Sequence, residues 1–217
     1  MTVLDRPRRR REATVERLLD AALETFAELG FAAASVEDVC RRGGFTRGAF
    51  YSSFRTKDEL FAALFTRESA RNLARAREQL AGVEDEADPV AAAVDRCLST
   101  FRADRTWVLV HTEYRLLAAR SAEAAAVLRG QGAAVLEDLT RFVAEIAARA
   151  GVGLVVPADR LARMVVALHD GLAVGGLLAD DGDDGAAGTD LERTALLLLL
   201  RSATALPPAR RPGEPTR

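Results

Sequence analysis

The chain has 217 residues, of which 49% are hydrophobic and 29% are charged, and its formal net charge is −2. This composition excludes a disordered chain and one that is basic throughout, so any affinity for nucleic acid has to come from a local patch. The two cysteines, Cys40 and Cys97, lie far apart in apolar helical patterns, which favours small buried side chains in a reducing compartment over a disulfide framework.

Membrane-spanning and secretory signals are not predicted. The longest purely apolar run, residues 195–200, is far too short to cross a bilayer. The basic start of the chain is not followed by the apolar stretch of a signal peptide. We therefore expect a cytoplasmic protein without a membrane partner.

The first 29 residues predict an arm and a helix. Residues 1–11 end in the basic run Arg6–Arg11, and we expect a disordered arm there. Such an arm either contacts a minor groove or phosphates, or is a solvated tail that adds nonspecific attraction. Residues 12–29 carry apolar side chains at three- and four-residue spacing, which predicts an amphipathic helix that ends at Gly30.

Two short helices joined by a glycine turn are predicted between Ser35 and Lys57. Ser35 is a good N-cap with Asp38 three residues on, as in a capping box. Gly43 and Gly44 are expected to supply the positive φ angles that end this helix, and Thr46 is the N-cap of the next one. This arrangement predicts a helix-turn-helix.

The second short helix has an apolar side and a polar side. Phe50 and Phe54 are one turn apart and face inward, whereas Arg47 and Tyr51 point the other way. Residues 41–57 contain five basic side chains and no acidic one. We expect the N-terminal end of this helix to enter a major groove, where small residues let Arg47 reach base edges and where hydroxyls, Lys57 and a backbone amide hold phosphates. The candidate DNA contacts are Ser35, Thr46, Arg47, Gly48, Ala49, Tyr51, Ser52 and Lys57.

Residues 44–61, GFTRGAFYSSFRTKDELF, resemble the recognition-helix signature of the TetR family of bacterial transcriptional regulators. The resemblance in motif covers about residues 12–65, and beyond them only the helical layout and the length match. Two departures, Gly43-Gly44-Phe45 for the commoner Ala-Gly-Val and Ser52-Ser53 for a frequent His/Tyr pair, leave the fold intact and affect the DNA sequence preference. The signature positions filled as in the family are Gly48, Tyr51, Phe54, Lys57 and Leu60.

The resemblance implies an all-α protein of about nine helices: an N-terminal three-helix DNA-binding unit and a C-terminal helical bundle for effector binding and dimerisation. The expected domains are residues 1–56, with the arm and the helix-turn-helix, and residues 57–206, with a disordered tail at 207–217. Beyond the helix-turn-helix we predict helices at residues 57–80, 89–102, 106–119, 121–150, 157–179 and 189–206. Gly130 and Gly132 leave open whether the fourth of these is kinked or broken.

Trp107, His111 and Tyr114 form an aromatic stripe along one predicted helix. The stripe is either core or interface packing with satisfied polar tips, or the wall of a small-molecule pocket, which the family resemblance favours. We interpret His169 as an interior histidine, and no metal or cofactor is predicted. The candidate effector contacts are Phe101, Trp107, His111, Tyr114, Phe142, Met164 and Leu168.

The last two helices predict a dimer interface. Residues 159–178 are rich in Ala and Gly, and residues 195–200 are apolar on every face. A second copy would cover such a helix in a twofold four-helix interface, although a buried helix of a monomer core is the alternative. The loop after residue 180 only partly matches a calcium loop, so we expect it to be solvated. The candidate interface residues are Leu161, Val165, Leu168, Leu172, Leu196, Leu197 and Leu200.

Our principal hypothesis is a homodimeric repressor that binds a palindromic double-stranded DNA operator and is released by an unidentified small molecule. A regulator without an effector, or an activator, is the alternative within the same class. An enzyme or carrier with a helical cavity is the alternative from another class, but the sequence offers no nucleophile elbow, carboxylate pair, phosphate loop or metal set for it.

Overall fold

The computed structural model describes the backbone of residues 5–101, 105–178 and 186–205, and the side chains of residues 11–98, 105–177 and 190–205. Within these ranges the predicted all-α class is confirmed, with nine α-helices and one pair of two-residue strands. The predicted tail, the loop at 180–185 and the side chain of Phe101 lie outside the described residues. The helices are α1 (Asp5–Leu29), α2 (Val36–Gly43), α3 (Arg47–Tyr51), α4 (Lys57–Gln79), α5 (Pro89–Phe101), α6 (Arg105–Ala118), α7 (Ala122–Arg149), α8 (Ala158–Leu178) and α9 (Ala186–Ala203).

The expected disordered arm at residues 1–11 is wrong for most of its length, because α1 already begins at Asp5. Pro7 falls in the first turn of this helix, where its missing N–H has no intrahelical acceptor in any case. The arginines that follow are good helix formers. The basic run therefore continues the first helix instead of forming an extended arm.

The chain packs into two compact units, each built from two separate segments. One contains Met1–Asn72 and Ala103–Val135, and the other contains Leu73–Arg102 and Leu136–Arg217. The sequence suggests a boundary at residue 56, before α4. The first unit nevertheless includes the first part of α4 and all of α6, because their side chains share one hydrophobic core with α1 to α3.

Aromatic and aliphatic side chains from α1, α3, α4 and α6 form the core of the first unit. The largest fully buried ones are Leu18, Phe26, Phe50, Phe61 and Tyr114. Burial of a side chain of this size stabilises a fold by about 1.5–3 kcal/mol. This core fixes the two short helices of the helix-turn-helix on a rigid base.

The second unit has two smaller cores. One surrounds Leu80, Val83 and Phe142, and the other brings Val94 and Leu98 of α5 against α8 and α9. Strand β1 (Gly153–Leu154) pairs antiparallel with β2 (Thr204–Ala205), which ties the end of α9 to the segment before α8. No helix among the described residues is long and apolar enough to cross a membrane.

Helix α7 runs without interruption from Ala122 to Arg149, so Gly130 and Gly132 do not break it. A Cβ atom added at either glycine would meet nothing within 4 Å. Neither glycine is therefore required by a close contact in this protomer.

Candidate DNA-binding surface

Helix α2 begins with a reciprocal capping box, as predicted. The Ser35 hydroxyl accepts a hydrogen bond from the Asp38 amide at 3.1 Å, and the Ser35 amide donates to Asp38 Oδ2 at 3.0 Å. The Ser35 hydroxyl also donates to Asp38 Oδ2 at 2.5 Å, and this bond, followed by the one from the Ser35 amide, holds the pKa of Asp38 below its ordinary value. The Ser35 amide is therefore already used inside the molecule, and a phosphate would have to compete with Asp38 for it.

The turn after α2 and the short helix α3 have the geometry of a helix-turn-helix. Gly44 ends α2 with a φ of 71°, in the left-handed region that favours glycine. The positive φ expected at Gly43 is wrong, because Gly43 is still the last residue of the helix. Thr46 then caps α3, since its hydroxyl accepts from the Ala49 amide at 3.2 Å. Phe50 is completely buried and Phe54 nearly so, which fixes one side of the segment on the core. The residues left exposed on its other side are Thr46, Arg47, Gly48, Tyr51 and Ser52.

Arg17 of α1 contacts the turn between α2 and α3, a role that the sequence did not reveal. Its Nη2 donates to the carbonyl oxygen of Gly43 at 3.1 Å, and its Cζ lies 4.8 Å from the ring centroid of Phe45. The Phe45 ring rests on Gly43, where an added Cβ would come within 2.8 Å of it. The unusual Gly-Gly-Phe sequence is thus explained, because the large side chain at 45 needs a glycine at 43.

Arg47, the predicted base-reading residue, is exposed and paired. Its Nη1 lies 2.9 Å from Oε1 of Glu37 on α2, and its Cζ lies 5.9 Å from the ring centroid of Tyr51. Hydrogen bonding to Tyr51, followed by the charge of Glu37, raises the pKa of Arg47 above its ordinary value. Arg47 and Tyr51 therefore present one cationic, aromatic surface, and Glu37 is a neighbour that the sequence analysis missed.

Lys57 lies at the start of α4 and turns towards the α1–α2 connection. Its ammonium group donates to the carbonyl oxygens of Phe31, Ala32 and Ala34, and lies 4.4 Å from the Phe31 ring centroid. Burial lowers the pKa of Lys57, which nearby acidic charges partly oppose. In this structure the side chain braces the connection instead of reaching outward to a phosphate.

The aromatic stripe on α6 packs into the core of the first unit. The rings of Tyr114 and Phe61 stack with centroids 3.6 Å apart, and the Tyr114 hydroxyl donates to Asp58 at 2.7 Å. Trp107 is 7% exposed and lies against Phe61 and Phe65. His111 stacks on Trp107 with centroids 5.3 Å apart. In this structure the stripe packs against α4, and its contact with an effector stays a prediction.

Glu113, between these residues, reaches the end of α1. Its Oε2 accepts from the Phe31 amide at 2.8 Å and its Oε1 accepts from the Ala32 amide at 3.4 Å. Gly30 turns the backbone there with a φ of 79°, and an added Cβ would lie 2.9 Å from the Glu113 carboxylate. Glu113 and Lys57 therefore clamp the same connection from two helices.

The remaining effector candidates do not share one cluster. Phe142 packs with Val83 in one core of the second unit, and its ring centroid lies 5.4 Å from Arg77 Cζ. Leu168 packs in the other core. Met164 is 42% exposed on α8.

The candidate dimer residues face mainly the protomer's own core. Leu161 and Leu196 are almost completely buried. Another four of them pack around Val94 and Leu98 of α5, and Leu172 is half-buried. The four are Val165, Leu168, Leu197 and Leu200.

Other apolar side chains of α8 and α9 are exposed. Met164 of α8 and Leu191 and Leu198 of α9 are between 42% and 68% exposed, and Ala167 and Gly171 lie one and two turns after Met164. We call this set the exposed α8–α9 face. A second copy could cover these side chains.

His169 lies inside the second unit, as expected, with Nδ1 3.4 Å from Glu192 Oε1. Within the described part of the chain, no group of three or more metal-ligating side chains comes together. Cys40 is buried, and Cys97 is partly buried, which raises the pKa of its thiol to about 11.

Comparison with known proteins agrees with this geometry. Residues 18–64 match the family model described as bacterial regulatory proteins, tetR family. The chain is 33% identical over 81 residues to the HTH-type transcriptional regulator UidR of Escherichia coli K12, a match that covers 37% of this chain and 41% of UidR. The chain thus spans less than half the length of this curated relative. UidR and the Rhodococcus protein described next are both named as transcriptional regulators.

Solved structures extend the likeness to most of the fold. A transcriptional regulator from Rhodococcus sp. Rha1 is 28% identical with a TM-score of 0.63, and the match covers 89% of this chain and 99% of that one. The regulator FadR from Bacillus subtilis, solved in complex with stearoyl-CoA, is 19% identical with a TM-score of 0.65, over 85% of this chain and 96% of FadR. The second likeness concerns the fold alone.

Proposed function

Because the chain belongs to the TetR family of bacterial regulators, we propose that it is a sequence-specific DNA-binding transcriptional regulator, acting as a repressor in the cytoplasm. The observation that carries this proposal is that α3 exposes its polar side while a phenylalanine on its other side is buried in the core. Thr46 caps the helix, and Phe50 is completely buried beneath it. A short helix fixed in this way presents its N-terminal residues to a major groove.

Arg47 is the proposed reader of base edges. It stands at the first position of α3, followed by Gly48 and Ala49, whose small side chains allow close approach to the bases. An arginine fork pairs with the two acceptors of a guanine in the major groove. The proposed phosphate contacts come from Thr46, Tyr51 and Ser52, which are exposed beside it. For Lys57 we propose a bracing role, since its ammonium group already serves three carbonyl oxygens.

The regulator is proposed to be a homodimer that reads a palindrome. The exposed α8–α9 face supports this, because an apolar surface of long helices is unfavourable in water and favourable against a second copy. Two recognition helices related by a dyad read half-sites about one DNA turn apart, roughly 34–36 Å. The operator should then contain an inverted repeat.

A small-molecule effector is proposed to release the protein from its operator. FadR from Bacillus subtilis, which shares the fold, was solved with stearoyl-CoA. In this chain the α6 stripe stacks on Phe61 and Phe65 of α4, so a ligand that displaced Trp107 or Tyr114 would loosen the helix that follows the helix-turn-helix. A ligand can weaken DNA binding only as far as it binds the released conformation more tightly than the DNA-binding conformation.

The DNA-binding proposal is tested by selection from a random duplex pool followed by binding titrations. We expect an enriched inverted repeat, and Arg47→Ala should cost about 1–3 kcal/mol on it and relax its sequence. Arg141→Ala, which removes an exposed arginine of α7, is the control with the same loss of charge. The absence of any enriched motif, or undiminished specificity of a folded Arg47→Ala dimer, would refute the proposal.

The effector and the sign of regulation need separate measurements. A thermal-shift screen, followed by operator release with each stabilising compound, tests the effector. Binding compounds that leave operator affinity unchanged would favour a regulator without an effector. A reporter driven by the selected operator should be silenced by the protein, and activation would reverse the proposed sign.

A further inference from the structure

The pair between Glu37 and Arg47 joins the two helices of the helix-turn-helix across the turn. Arg47 Nη1 and Glu37 Oε1 are 2.9 Å apart, and the two side chains are 63% and 52% exposed. The neighbouring Asp38 is engaged by the α2 cap and by Arg41. Residues 41–57 contain no acidic residue, so the carboxylate beside Arg47 comes from the preceding helix.

An exposed arginine near a duplex is attracted to any phosphate, and this attraction carries no sequence information. A carboxylate within hydrogen-bond distance offsets the positive charge of the arginine. If Arg47 moves to a phosphate, it exchanges one anionic acceptor for another, so the free energy of binding changes little. A guanine edge instead offers two acceptors in one plane, and a guanidinium with five donors can bind both while it keeps one N–H on Glu37.

From this geometry we infer that Glu37 is a specificity-determining residue, which orients the Arg47 fork towards base edges and suppresses its attraction for phosphates. The inference rests on the proposed function, because it assigns how the proposed base-reading residue is restrained. Glu37 itself needs no contact with DNA. Its effect is exerted through Arg47.

Glu37→Gln removes the charge and keeps the size of the side chain. We expect affinity for a duplex of scrambled sequence to rise by about three- to tenfold at low salt. The slope of log affinity against log salt should steepen by about one, since one more phosphate is neutralised. Affinity for the selected operator should rise less, so the ratio of operator to scrambled affinity falls.

The experiment titrates the full chain against labelled operator and scrambled duplexes by fluorescence anisotropy. It compares the parent, Glu37→Gln, Arg47→Ala and the double variant, with circular dichroism to confirm folding. Glu28→Gln is the matched control, because Glu28 pairs with Arg42 on α2 and its replacement changes net charge equally. We expect the effect of Glu37→Gln to vanish in the Arg47→Ala background and to be absent in Glu28→Gln.

Four outcomes would overturn the inference. An equal effect of Glu37→Gln in the Arg47→Ala background would mean that Glu37 repels phosphates directly. An equal effect of Glu28→Gln would mean that only net charge matters. An unchanged affinity ratio in Glu37→Gln, with a parent that still prefers its operator, would refute this inference alone, whereas a parent that binds no duplex would refute the proposed function with it.

Discussion

The ring of Tyr114 on α6 lies parallel to the ring of Phe61 on α4, with centroids 3.6 Å apart and planes within 7°. The Tyr114 hydroxyl also donates to Asp58, the second residue of α4, at 2.7 Å. Tyr114 is completely buried. Helix α6 is therefore fastened to the first turns of the helix that follows the helix-turn-helix.

Tyr114→Phe keeps the ring stack and removes the hydrogen bond to Asp58. We expect it to lower the free energy of unfolding by about 1.5–3 kcal/mol, because the bond is made to a charged acceptor. Tyr114→Ala should lower it by about 3–5 kcal/mol, since the ring is lost as well. Leu116→Ala, which changes a side chain of α6 that is 57% exposed, is the control and should stay within about 0.5 kcal/mol. Urea unfolding measures all three, and equal midpoints for Tyr114→Phe and Leu116→Ala would contradict the assignment.

Tyr114 should also make stability depend on pH in alkaline solution. Burial, and then the hydrogen bond to Asp58, raises the pKa of its hydroxyl well above the ordinary value of 10.0. The folded state therefore favours the neutral hydroxyl, and the stability it contributes is complete below about pH 10 and is lost as the pH rises above that value. Urea unfolding at increasing pH should show this loss in the parent and a smaller loss in Tyr114→Phe. Parallel pH profiles for the two proteins would show that Tyr114 does not cause the loss of stability.

Local features of the helix-turn-helix were predictable from the sequence because neighbours along the chain determine them. The caps at Ser35 and Thr46 and the inward side of Phe50 follow from residue type and spacing alone, and all three are confirmed. The clamp between Glu113 and the Phe31 amide joins residues 82 positions apart. No local pattern encodes such a contact.

Periodicity likewise identifies a face without saying what covers it. Trp107 and Tyr114 share one side of α6, as predicted, but only the fold shows that Phe61 and Phe65 meet them. In the same way, the leucine run of α9 is apolar all round, and the structure shows that Leu196 faces the protomer core whereas Leu198 is 68% exposed. Which side remains for a partner could not be inferred from composition.

Gly43 and Phe45 should behave as a coupled pair. Gly43 lies in helical backbone without a positive φ, so alanine would ordinarily stabilise it by about 1 kcal/mol. Here the added Cβ would come within 2.8 Å of the Phe45 ring and 3.2 Å of the Ala21 Cβ. We therefore expect Gly43→Ala to destabilise the protein by about 1–3 kcal/mol through overpacking.

A second substitution distinguishes this clash from other effects at the turn. Phe45→Val makes room, so Gly43→Ala should cost markedly less in the Phe45→Val background than in the parent. Gly130→Ala, where an added Cβ meets nothing within 4 Å, should be neutral or stabilising. A double-mutant cycle by thermal or urea unfolding gives the coupling, and strictly additive effects would disprove it.

Lys57→Met should reveal whether this residue braces the fold or holds DNA. Its ammonium group satisfies the carbonyl oxygens of Phe31, Ala32 and Ala34, so its loss leaves acceptors unpaired, and we expect the free energy of unfolding to fall by about 1–3 kcal/mol. The salt dependence of DNA binding should remain that of the parent. Arg47→Ala should show a different pattern, with little change in stability, a loss of about 1–3 kcal/mol in affinity for the operator, and a salt slope close to that of the parent. If Lys57→Met reduced the slope of log affinity against log salt, Lys57 would be a phosphate contact, as the sequence suggests.

Leu198→Glu should separate dimerisation from folding. Leu198 is 68% exposed on α9, so a charge there costs the protomer little but would be buried against a second copy across the exposed α8–α9 face. We expect this variant to be a folded monomer by sedimentation with weakened operator binding, because two half-sites are no longer engaged together. Leu116→Glu on α6, 57% exposed, should remain dimeric, whereas Leu196→Ala should lose about 2–5 kcal/mol of stability because its side chain is almost fully buried in the protomer. A Leu198→Glu protein that sediments as a dimer would place the interface elsewhere.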